Sequence, residues 1–72
     1  MYMSAGEKLR AIMGRQKMSM GEMAEKTGQS RQNFSNKMKR DDFSEKEIQK
    51  MADVLGLSIN IQFIDKDGNV VL

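Results

Sequence analysis

SMGEMAEKTGQSRQNFSNKMKR, residues 19–40, is the stretch whose reading decides the fold. Ser19 and Glu22 stand three apart, the spacing of a capping box. The serine hydroxyl accepts the N–H of the glutamate, and the carboxylate reaches back to the serine N–H. Met18 before the cap and Met23 after it are placed as a hydrophobic staple. The helix this starts, Met20–Thr27, buries Met23, Ala24 and Thr27. It stops at Gly28, which adopts a left-handed backbone at low cost. Ser30 caps a second helix, Arg31–Lys39, which buries the i, i+4 pair Phe34 and Met38. Only Gln29 separates Gly28 from the new cap. Two helices joined that closely cross steeply, as in a helix-turn-helix.

Upstream, Ser4 and Glu7 form another capping box, opening a helix over Ser4–Gln16. Leu9, Ile12 and Met13 lie at i, i+3 and i+4 on one stripe. Lys17 and Met18 link it to the second helix. Downstream, Asp41-Asp42-Phe43 is a short loop. Ser44 and Glu47 make a third capping box, with Phe43 and Ile48 as its staple. Ile48, Met51, Ala52 and Leu55 then give the cleanest amphipathic pattern in the chain, and Gly56 ends that fourth helix. Beyond it the period changes to two: Ile59, Ile61 and Phe63 alternate with polar residues, which predicts a strand. Lys66-Asp67-Gly68-Asn69 reads as a turn and Val70-Val71-Leu72 as the returning strand. A two-residue Asp67-Gly68 loop would set Asp65 opposite Val70 and Phe63 opposite Leu72. The expected fold is mainly α: four helices in residues 1–57, with a C-terminal β-hairpin in residues 58–72 of the same domain.

Seventy-two residues allow one small core. The chain has no Cys and no His. Disulfides, thiolate nucleophiles, the usual zinc sites and the commonest neutral-pH acid–base group are therefore excluded. No nucleophile–base set, carboxylate pair or glycine-rich phosphate loop appears, so no enzyme and no cofactor is expected. Asp65, Asp67 and Asn69 do not complete a calcium-loop pattern, and a plain turn is the better reading. The eight Met residues read as core filler. No apolar run reaches a membrane span of about 20 residues. The start MYMSAGEKLR has no apolar core of a signal peptide, so a cytoplasmic protein without membrane partner or small-molecule ligand is expected. Charge is uneven: residues 1–40 hold nine Lys/Arg against three Glu, and residues 41–72 hold three Lys against seven Asp/Glu. A basic front and acidic rear suit a module that turns one face to a polyanion.

LRAIM, then MSMGEMAEKTGQSRQNFSNKM, then a helix ending in MADVLGL together resemble the phage Cro/repressor-type helix-turn-helix, the XRE family. The resemblance covers about residues 6–57. It rests on the spacing Ala24–Gly28–Ser30–Phe34 and on the A-x-x-L-G-L ending of Ala52–Leu57. It implies a helical domain that binds double-stranded DNA, with the third helix in the major groove. It also implies that Arg31, Gln32 and Asn36 read bases, flanked by Ser30, Asn33 and Ser35. Phosphates would be held near Met20 and Gly21 and by Lys37, Lys39 and Arg40. Five positions, in three places, depart from the family's habit. Met20 stands where Gln is frequent. Met13 and Met38 stand where an Arg–Glu pair is frequent, which predicts that they are buried together. Asp41 and Asp42 stand in a loop where they would repel phosphate.

Taken alone, Arg31, Gln32 and Asn36 could be a solvated helix face. Their types are also those that pair bidentately with guanine and adenine. Lys37, Lys39 and Arg40 suit phosphates and equally suit the negative end of the helix dipole. The expected function is transcriptional regulation, repressor-like, by occupancy of an operator. An antitoxin, or a protein-interaction adaptor on the same fold, is the alternative. One recognition helix reads few base pairs, so a homodimer is expected, formed by the hairpin through Ile59, Ile61, Ile64, Val70 and Val71. In that arrangement Ile59, Ile61, Phe63 and Leu72 pack on the first and fourth helices.

Overall fold

The computed structural model describes residues 3–72 and contains four helices: α1 Ala5–Arg15, α2 Met20–Lys26, α3 Arg31–Arg40 and α4 Glu45–Val54. Each begins at a serine whose hydroxyl accepts the N–H three residues on. At Ser4, Ser19 and Ser44 the glutamate returns the bond, so all three expected capping boxes form. Each such cap is worth about 1 kcal/mol, a large increment for helices this short.

The four helices also end alike. In each, the residue after the helical end points its N–H back three residues. The next residue reaches back five, as Gly28 does to Glu25 and Gln29 to Ala24. This closure requires a left-handed residue. Gly28 and Gly56 supply it for α2 and α4, at φ 72° and 75°. Lys17 and Asp41 supply it for α1 and α3, at φ 56° and 51°, with no glycine.

The core holds Leu9 and Met13 of α1, Met23 and Ala24 of α2, Phe34 and Met38 of α3, and Met51 and Leu55 toward the end of α4. Phe34 and Met23 are completely buried. Ile12, Met18, Phe43 and Ile48 close the rim. The Phe43 ring meets that of Phe34 at 6.2 Å and 52°, within the range of favourable aromatic pairs. Met13 and Met38 share this core, as the absence of an Arg–Glu pair implies; burying an ion pair there would incur its desolvation cost. Gln16 donates its Nε2 to the Leu55 carbonyl at 3.1 Å, tying the end of α1 to the end of α4. α2 packs on both α3 and α4.

The expected C-terminal β-hairpin does not form strands: among the described residues its arms meet only in one antiparallel bridge and in backbone bonds that join Phe63 to Leu72 and Val71 and Asp65 to Asn69. Residues 57–62 run beside α1 and α4 without regular secondary structure and wall an apolar groove of about 560 Å³ with Leu9, Ile12, Ile48 and Leu55. The chain then reverses at Lys66-Asp67-Gly68. Asp65 closes this turn, its Oδ1 accepting the N–H groups of Asp67 and Asn69, both at 2.9 Å. The loop is thus three residues with Gly68 left-handed, not the two-residue Asp67-Gly68 turn. Ile64, not Asp65, bridges Val70. The second arm is left with Val70–Leu72, too short to build a sheet, and an isolated two-stranded hairpin is marginal in water. Nor do Ile61, Phe63 and Leu72 cover helices 1 and 4. They stay 53%, 71% and 85% exposed, and only Ile59 is half-buried. The helices already close the core without them.

Candidate nucleic-acid interface

Helix α3 carries no acidic residue, and its surface divides into stripes set by 3.6 residues per turn. Phe34 and Met38 form the buried stripe. Directly opposite lie Gln32, Asn36, Lys39 and Arg40, at i, i+4, i+7 and i+8, all exposed. Between these stripes are two flanks. One carries Arg31 and Ser35, the other Asn33 and Lys37.

The first flank turns toward α2. The stem of Arg31 passes Gly21, where a Cβ would lie 4.0 Å from Arg31 Cδ. Arg31 is thereby drawn to the start of α2, beside the Met20–Gly21 backbone. Ser35, one turn on, is half-buried. Met20 itself packs its side chain against the core, so at that position only backbone is available to a ligand.

The second flank is engaged within the domain. Asn33 Nδ2 donates to Gln29 Oε1 at 3.4 Å. Gln29 Nε2 donates to Thr27 Oγ1 at 2.8 Å, and buried Thr27 donates to the Met23 carbonyl at 2.7 Å. Lys37 donates to Glu47 Oε2 on α4, the one ion pair among the described residues. That hydrogen bond is the main cause holding the Glu47 carboxyl below its ordinary pKa. The sequence had offered Lys37 to phosphate; the structure sets its nitrogen against α4. Ser30 spends its hydroxyl on the Asn33 N–H at 3.0 Å, as a helix cap.

At the C-terminal end of α3, Lys39 and Arg40 are exposed. Asp41 follows, and its carboxylate does not face outward as a free repelling charge. Oδ1 accepts the Gly6 N–H at 2.7 Å, capping α1 from across the fold. Gly6 is buried, and a Cβ there would fall 2.5 Å from that oxygen, so glycine alone permits the approach.

The outer stripe can therefore offer two amide side chains, each able to donate and accept in one plane, with cations on the same face. Such amides match the N6/N7 edge of adenine, and such cations match phosphate. No group of three or more potential metal-ligating His, Cys, Asp or Glu occurs among the described residues. No helix of the described residues is long and apolar enough to cross a membrane.

The family model of the Cro/C1-type HTH DNA-binding domain matches residues 8–60. No curated protein and no solved structure matches the chain.

Proposed function

Because this chain belongs to the Cro/C1-type helix-turn-helix DNA-binding family, we propose that it is a sequence-specific DNA-binding regulator acting by operator occupancy. α3 lies in the major groove, with Gln32 and Asn36 against base edges and Arg31 reading from the α2 side. Lys39 and Arg40 hold phosphates at the other end of the helix, joined by the backbone N–H groups at Met20 and Gly21. Occupancy then excludes or recruits polymerase. The observation that carries this is the unengaged outer stripe of α3, with Arg31 on the flank toward α2. Arg31, Gln32, Asn36, Lys39 and Arg40 make no side-chain hydrogen bond or ion pair within the described residues, although the neighbouring flank is fully engaged. A salt titration of binding tests it. Counterion release requires log K to fall linearly with log salt. A slope near zero on duplex DNA contradicts the proposal.

The regulator acts as a homodimer on two half-sites about 10 base pairs apart. Support comes from the apolar surface of the C-terminal segment. Ile61, Phe63, Ile64, Val70, Val71 and Leu72 are all more than half exposed, an unusual concentration on one segment of so small a domain. The backbone of residues 57–62 beside the groove, outside any helix or strand, is open to pairing with a second copy. Sedimentation tests it: association that weakens in Ile64→Lys supports the dimer, and a monomer at high micromolar concentration contradicts it.

A further inference from the structure

The Asn33–Lys37 flank of α3 is organised without an evident gain in stability. Lys37 and Glu47 keep 25% and 35% of their side-chain surface exposed. Ion pairs with that much water access contribute little, because ordering two long side chains offsets a screened attraction. Yet Glu47 is pinned at both oxygens: Oε1 accepts the Ser44 N–H in the α4 capping box, at 3.4 Å, while Oε2 takes Lys37. Asn33, one turn before Lys37, is tied through Gln29 to buried Thr27. Together with Lys50 and Met51 these side chains line a cleft of about 160 Å³ behind α3. A basic residue on the helix that approaches a polyanion is thus held by a carboxylate from the helix behind it.

Resting on the DNA-binding reading above, we propose that Glu47 is a positioning residue for that function. It keeps the Lys37 ammonium against α4 and off the phosphates. It also fixes the roll of α3, so that Gln32 and Asn36 face the bases. Sequence-independent affinity is thereby held down and the readout stripe held central. Electrostatic contacts bind every sequence alike, so withholding one lowers specific and random binding together, and the gain in discrimination rests on the fixed roll of α3.

Fluorescence anisotropy on a random duplex, measured over a range of salt, tests this with the full chain and three variants. Each phosphate contact contributes about 0.9 to the slope of log K against log salt. Lys39→Gln is expected to lower the slope by about 0.9, and Lys37→Gln to leave it unchanged. Glu47→Gln frees Lys37, so the slope steepens by about 0.9 and random-duplex affinity rises by up to about eightfold at 0.1 M salt. Adding Lys37→Gln to Glu47→Gln returns the slope to that of the parent chain. A fall of about 0.9 in Lys37→Gln alone overturns the proposal, whatever Glu47→Gln does to folding. An unsteepened slope in a folded Glu47→Gln overturns it as well. Absence of salt-dependent binding by the parent chain overturns the DNA-binding reading itself, and this inference with it.

Discussion

Lys17 and Asp41 occupy the same backbone position at the ends of α1 and α3, with φ 56° and 51°, and the same substitution should move stability in opposite directions. A side chain in the left-handed region costs about 1–2 kcal/mol, which glycine avoids. Glycine gives back part of that gain, about 0.4–1 kcal/mol, through the greater freedom of the unfolded chain. Lys17 makes no side-chain bond among the described residues, so Lys17→Gly should stabilise by about 0.5–1 kcal/mol. Asp41→Gly receives the same gain and loses the carboxylate bond to the Gly6 N–H. A hydrogen bond to a charged group is worth about 1.5–3 kcal/mol net, and its position at the start of α1 adds a few tenths. Asp41→Gly should therefore destabilise by about 1–2 kcal/mol. For a domain of this size 1 kcal/mol moves Tm by about 4–8 °C, so thermal unfolding followed by circular dichroism resolves both. Gly6→Ala supplies the control: its Cβ would meet Asp41 Oδ1 at 2.5 Å. It should be costly in the parent chain and much less so beside Asp41→Gly. If Asp41→Gly stabilises as much as Lys17→Gly, the cap across the fold contributes nothing and the reasoning fails.

Met38→Glu sets an unpaired charge at a position only 7% exposed and should cost several kcal/mol. Met13→Arg in the same chain should recover part of that, read from urea midpoints; a neutral Met38→Glu would deny the burial. Arg31→Ala should lose about 1–3 kcal/mol on the preferred site and relax one base pair, and equal losses on preferred and random duplexes would remove it from the readout. The pH dependence follows from Glu47. Its folded pKa lies below the unfolded one, so its contribution is present above the unfolded value and is lost as pH falls through the folded value. Because the pair is open to water that contribution is small, so Glu47→Gln should flatten the acid side of the stability profile only slightly, and a steeper acid limb in the variant would contradict the sign.

What was legible in the sequence is what local chemistry decides. Ser-x-x-Glu spacing located three helix starts, because a capping box involves only residues three apart. Gly28 and Gly56 announced two ends; Lys17 announced none, because nothing in a lysine signals a left-handed backbone. Asp41 was read for its charge toward phosphate, while its partner is 35 residues earlier in the chain. Buried Gly6, without a turn to explain it, was the available sign of a close approach. Glu47 was legible as a capping-box residue, which concealed its second oxygen. Arg31, Gln32 and Asn36 were legible as one polar face, but the sequence could not say that Arg31 would turn toward α2 or that Lys37 would be engaged by α4. The tail was misread because alternation over Ile59–Phe63 predicts a strand only if a partner exists. Asp65 instead drew the turn into three residues.

The central claim is that the outer stripe of α3 reads DNA sequence, and selection of bound sites from random duplex DNA tests it most directly. The parent chain and the double variant Gln32→Ala, Asn36→Ala would be carried through the same rounds. The parent should enrich a defined motif, and the variant, still binding with a salt-dependent slope, should lose preference at the positions those amides face. Enrichment of the same motif by both proteins, or of none by the parent, would contradict it.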